Sequence, residues 1–133
     1  MRSWYEVEDR YRGGFYGGAW NGPYFVLTHD PPAVVPEWMT GTFVTSGIDD
    51  AVTRARTAAG ERNVVLFGAN IALQAIEHGL LDEMVIHLAP VLLGDGVRLL
   101  DHPGSGRVDL ERTLVAESGQ LTDLRFSVTK AAA

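Results

Sequence analysis

The stretch Asn63-Val64-Val65-Leu66-Phe67 constrains the fold more than any other part of this chain. Its four consecutive apolar residues are too few for a helix and show no polar alternation, which is the pattern of a strand covered on both faces. A strand covered on both sides implies helices above and below it, and so parallel strands joined by crossovers. The next residues agree. Gly68-Ala69-Asn70 leads into Ile71-Ala72-Leu73-Gln74-Ala75-Ile76-Glu77-His78, with Asn70 placed to cap the start and Gly79 to close the end. The segment predicts a strand, a turn and a helix.

Flanking segments extend this α/β reading. Tyr24–Thr28 is a β-branched and aromatic run stopped by Asp30-Pro31-Pro32, and it predicts a buried strand. Gly41–Thr45 predicts a second, and Ser46-Gly47 approaches a helix with Asp49 and Asp50 in its first turn and Gly60 at its end. On that helix Ile48, Val52 and Ala55 share a face, while Arg54 and Arg56 fall outside it as solvated charges. Residues 84–89 predict another strand, stopped by Pro90. Residues 108–116 and 121–129 flank Ser118-Gly119-Gln120 as an antiparallel hairpin. Residues 2–12 are compatible with a helix, and five glycines and a proline between residues 13 and 23 make a loop bearing Phe15, Tyr16 and Trp20. No domain boundary shows, so residues 1–133 read as one domain.

Charge and composition narrow the function. Seventeen acidic side chains against eleven basic ones give a net charge of −6, and Lys130 is the one lysine, which argues against a phosphate-backbone binder such as a nucleic-acid protein. The absence of cysteine excludes thiolate metal sites and disulfides. No apolar run reaches the roughly 18 residues of a membrane span, so no membrane partner is expected, and a cytoplasmic location follows.

Among reactive groups, Ser105 lies in a proline and glycine loop rather than on a nucleophile elbow, and no catalytic acid can be named. His29, His78, His87 and His102 have no metal-ligand spacing, so no metal is expected. His78 suits a helix C-terminus. His87 faces away from Ile86 and Leu88, as a hydrogen-bonded structural histidine would. Three strand exits remain: Thr28-His29-Asp30, Thr45-Ser46-Gly47 and Gly68-Ala69-Asn70-Ile71. If the strands are parallel these share the rim where open α/β sheets bind ligands, and the third opens a helix whose free N–H groups suit a pyrophosphate.

The runs Val64–Asn70, Leu80–His87 and Pro90-Val91-Leu92-Leu93-Gly94-Asp95-Gly96 resemble the dihydrofolate-reductase-like superfamily, closest to the reductase domain at the C-terminus of the riboflavin-biosynthesis deaminase-reductase and its small stand-alone relatives. Arg2-Ser3-Trp4-Tyr5-Glu6 is similar to the family's G-R-x-T-Y-E segment. The resemblance implies a three-layer α-β-α sheet, mostly parallel with a C-terminal antiparallel hairpin, and NADPH- or NADH-dependent reduction of a small heterocyclic or carbonyl substrate. It also implies cofactor roles: Arg2 near the phosphates; Gly68, Ala69, Asn70 and Ile71 at the pyrophosphate; Thr45 and Ser46 at the adenosine; Thr28, His29 and Asp30 by the ribose 2′-phosphate. Ala69 stands where a second glycine is usual, Trp4 replaces the threonine, and the acidic Asp30 would repel a 2′-phosphate.

Met1 occupies the place of the glycine in G-R-x-T-Y-E, so the family's first strands, which are central in its sheet, have no counterpart. A natural short homologue and a truncated reading frame both fit this start. Beside the reductase reading stand a non-redox homologue whose rim binds a small planar ligand under the Phe15, Tyr16 and Trp20 loop, and an assembly subunit. Unpaired edges beside Tyr24–Thr28 and Val64–Phe67 predict a homo-oligomer, with a dimer favoured.

Overall fold

The computed structural model describes residues 18–35, 37, 39–99 and 106–129. Arg2, the helix-compatible segment 2–12, Phe15 and Tyr16 lie outside the described residues, as do Ser105 and His102. Packing divides the chain into two compact units, Met1–Val64 and Val65–Ala133.

In the first unit, β1 (Phe25–Leu27) and β2 (Thr42–Val44) pair in parallel, with Phe25 opposite Thr42 and Leu27 opposite Val44. Backbone bonds from Thr42 N to the Tyr24 carbonyl (3.0 Å) and from Thr28 N to the Val44 carbonyl (3.1 Å) close the two ends of the ladder. Helix α1 (Ile48–Ala59) then packs against β1. Its buried stripe, Ile48, Ala51 and Val52, forms the core of this unit with Val44 of β2, which is also buried. The expected burial of β1 is reduced, since all three of its residues are half-buried. The ends of α1 match their sequence signals. Asp49 and Asp50 occupy the first turn, and Gly60, at φ +62°, ends the helix with its N–H on the Arg56 carbonyl at 3.0 Å. At the entrance to the ladder the Tyr24 ring lies directly on Gly41, where a Cβ would fall 2.0 Å from a ring carbon, so only glycine fits.

The second unit begins with the largest departure from expectation. Residues 65–67 form no strand, and Val65 and Phe67 are 65% and 60% exposed. A strand exists by virtue of its ladder. Among the described residues, none hydrogen-bonds to residues 63–66, so this apolar stretch with the composition of a buried strand gains no ladder there. Helix α2 (Ala69–Glu77) follows, with Gly68 at φ +100° as its N-cap. The expected cap, Asn70, instead sits inside the first turn, and its side-chain oxygen accepts from Gln74 Nε2 at 2.5 Å. One turn on from Asn70 the polar Gln74 offers an amide donor, and that local bond outcompetes capping. His78 is the C-cap, its N–H on the Gln74 carbonyl at 3.0 Å, and Gly79 follows at φ +63°.

Strands β3 (Glu83–Leu88), β4 (Leu110–Ser118) and β5 (Leu121–Val128) form an antiparallel sheet in the order β3-β5-β4. Gly119, at φ +63°, and Gln120 make the two-residue turn of the β4–β5 hairpin. Between Arg112 and Leu114 the register shifts, and the bulged Thr113 donates its hydroxyl to the Arg125 carbonyl at 3.2 Å. The register sorts the side chains. Met84, Ile86, Leu124 and Phe126 share the more buried face; Val85, His87, Leu114, Ala116, Asp123 and Arg125 share the other. The architecture is mixed α/β, with a parallel pair in one unit and the expected antiparallel hairpin in the other.

Candidate functional site

Because β1 and β2 are parallel, their exits lie at one edge of the first unit. The Thr28 to Val44 backbone bond ties them together there, so Thr28, His29 and Asp30 stand beside Thr45 and Ser46 as the alternation of strand and helix predicted. Two hydroxyls at this edge, those of Thr28 and Ser46, are engaged locally. Thr28 Oγ1 accepts from Asp30 N at 3.2 Å and donates to the Asp30 carbonyl at 3.3 Å, which closes a tight turn that leaves His29 and the Asp30 carboxylate exposed. Ser46 donates its hydroxyl to Asp50, and Arg54 Nη2 meets the same carboxylate oxygen at 2.9 Å. These two contacts, the serine hydroxyl first and the guanidinium second, hold the Asp50 carboxyl below the usual carboxylate range. The start of α1 is therefore already charged negative by Asp49 and Asp50 and does not suit an anion.

The start of α2, in the second unit, differs in each respect. Its first turn carries no acidic residue, and its N-cap Gly68 has no side chain to occupy the helix end. The first backbone bond runs from Ala72 N to the Gly68 carbonyl at 3.0 Å, so the N–H groups of Ala69, Asn70 and Ile71 donate to no described group. A Cβ built on Gly68 would meet nothing within 4 Å, which leaves the approach to these donors open. Three convergent N–H donors, the positive end of the helix and an open approach fit a phosphate oxygen. Of the ten positions predicted to hold a cofactor, the structure gathers five at the β1–β2 edge and four at the α2 start, and Arg2 is not described.

One polar pair was not legible in the sequence. His87 Nδ1 lies 2.6 Å from Asp123 Oδ1, across adjacent strands of the hairpin sheet. Alternation identified His87 as facing away from Ile86 and Leu88, but its partner lies 36 residues later and is set by strand register alone. No group of three or more metal-ligating side chains occurs among the described residues, and no described helix is long and apolar enough to cross a membrane.

Comparison with known proteins gives the architecture a context. No curated protein matches the chain. Six solved chains do, among them a protein from Shewanella sp. PV-4 described provisionally as a riboflavin biosynthesis protein, at 23% identity and a TM-score of 0.70. The match covers 84% of this chain and 63% of that one, so this chain spans less than two thirds of that protein's length. The family model of the RibD C-terminal domain matches residues 25–122, from the first residue of β1 into β5. With the fold shared and the family model covering most of its length, the chain belongs to the RibD C-terminal domain family.

Proposed function

We propose that this protein is a reductase-family domain that binds NADPH or NADH and reduces a small heterocyclic or carbonyl substrate in the cytoplasm. The observation that carries the reading is the start of α2. There Gly68 leaves an open approach to the unpartnered N–H groups of Ala69, Asn70 and Ile71, with no acidic side chain in the first turn. Those donors would hold the pyrophosphate of the dinucleotide. When bound, the nicotinamide supplies the hydride.

The chain's own contribution is recognition. Thr45 and Ser46 would border the adenosine, although the Ser46 hydroxyl is engaged by Asp50 and so offers its backbone and methylene rather than a free donor. Thr28, His29 and Asp30 would approach the ribose, where an exposed carboxylate favours a 2′-hydroxyl over a 2′-phosphate. The test is a titration of the pure protein with NADH and NADPH, read by nicotinamide fluorescence. Saturable enhancement, stronger for NADH, supports the reading; no response to either cofactor overturns it. Saturable binding with no turnover of any carbonyl or heterocycle would identify the non-redox alternative, a homologue that retains only a ligand rim.

A further inference from the structure

Between β3 and β4, residues 91–97 run without helix or strand, and every side chain among them is exposed. Within this segment stands Asp95-Gly96, the one Asp-Gly dipeptide of the chain. Gly96 N donates to Asp95 Oδ1, on the residue just before it, at 2.7 Å, and to no backbone carbonyl among the described residues. The carboxyl carbon, one C–O bond from that oxygen, therefore lies within about 4 Å of the same nitrogen, near the roughly 3–3.5 Å at which reacting atoms meet in a near-attack arrangement. A Cβ on the second residue would crowd this approach. Gly96 has none, and one built there would meet nothing within 4 Å, so the space around the nitrogen is open. The backbone can also turn, since Gly94 holds φ +77° and residues 92–97 make no backbone hydrogen bond to another described residue.

We propose that Asp95-Gly96 is a site of spontaneous covalent modification, at which the aspartate isomerises through a cyclic imide to isoaspartate. In the first step the Gly96 nitrogen bonds to the carboxyl carbon of the protonated Asp95 side chain. The carboxyl hydroxyl leaves as water with the amide proton, and a five-membered succinimide ring closes. Water then adds to one of the two ring carbonyls. Cleavage between the nitrogen and the side-chain carbonyl returns aspartate; cleavage at the main-chain carbonyl leaves the chain running through the side-chain carbonyl, with a free α-carboxylate. One water is lost and one regained, so the step needs no redox partner or cofactor. The product lengthens the main chain by a methylene and leaves the net charge of −6 unchanged. Asp109 and Asp123 lack these conditions: they precede Leu110 and Leu124, whose nitrogens belong to β4 and β5 and whose Cβ atoms crowd the ring closure.

The full chain, held warm in mildly acidic buffer for days to weeks, is read by peptide mapping with electron-transfer fragmentation, and an isoaspartyl methyltransferase counts the free α-carboxylates. Isoaspartate should accumulate at residue 95, preceded by a species one water lighter, at least about tenfold faster than at Asp109 or Asp123. The folded chain should react no more slowly than a free peptide spanning residues 93–98, because the structure already holds the carboxyl against the nitrogen. Deamidation at Asn21-Gly22 changes the mass, whereas isomerisation does not, which keeps the two apart. Gly96→Ala, which the open surroundings accommodate, should slow the reaction about tenfold. Asp95→Asn should pass through the same imide with loss of ammonia, and Asp95→Glu, which needs a six-membered ring, should stop it. An Asp95 that stays unchanged, a free peptide that reacts about tenfold faster than the folded chain, or a Gly96→Ala variant that reacts at the wild-type rate would each overturn the proposal.

Discussion

Replacing Gly68 by valine tests the α2 start through two separable effects. Gly68 has φ +100° and ψ +139°, a region that residues with a Cβ rarely enter, so a β-branched side chain there is strained by about 1–3 kcal/mol. Nothing lies within 4 Å of a Cβ built at this position, so no clash adds to that strain, and the helix can relieve it by turning the Gly68 peptide. The same turn would swing the first N–H donors away from a bound phosphate, and the valine methyls would stand in its approach. A hydrogen bond to a charged group contributes about 1.5–3 kcal/mol, so losing even one raises the dissociation constant for a dinucleotide roughly ten- to a hundredfold. Isothermal titration with NADH and thermal unfolding, run side by side, measure both effects. Gly79→Ala serves as the control, because Gly79 has φ +63° at the other end of the same helix and its substitution should lower stability without weakening binding. Gly68→Val binding NADH as tightly as the wild type would refute the pyrophosphate assignment; equal loss of binding in Gly79→Ala would show that the effect is only unfolding.

Other substitutions address different parts of the molecule. Asp30→Arg should shift the ratio of NADPH to NADH dissociation constants several-fold towards NADPH, since reversing one exposed charge contributes on the order of 1 kcal/mol, and an unchanged ratio would remove Asp30 from the ribose site. Asp50 is held below the usual carboxylate range by Ser46 and Arg54, so its contribution to stability is complete above that range and is lost as the pH falls through the lowered value; Asp50→Asn should flatten the acid limb of a plot of unfolding midpoint against pH. Gly41→Ala would set a Cβ 2.0 Å from the Tyr24 ring and should destabilise the first unit by about 1–3 kcal/mol in chemical denaturation, with a smaller cost on a Tyr24→Ala background where the ring is absent.

Local chemistry made much of this protein legible before any coordinates. The limits of α1 follow from Asp49, Asp50 and Gly60, because macrodipole and left-handed C-terminal preferences act within a turn of the helix end. The hairpin followed from two runs flanking Ser118-Gly119-Gln120, with Leu124, Phe126 and Val128 alternating against polar neighbours in the second, and the bare start of α2 from a glycine between an apolar run and a helix. Its specific capping did not, because Asn70 had two partners within reach and the helix geometry chose Gln74.

What the tertiary structure alone decided are the features that depend on two distant segments at once. Val64–Phe67 has every local mark of a buried strand, but strand formation needs hydrogen-bonding neighbours, and a sequence window carries no record of whether they are supplied. His87 and Asp123 meet only because β3 and β5 pair in one register, and a slip of one residue would place them on opposite faces. Helix ends and turns are governed by interactions a few residues long and can be read from the chain; strand partners and the faces they build are non-local, and only the folded molecule contains them.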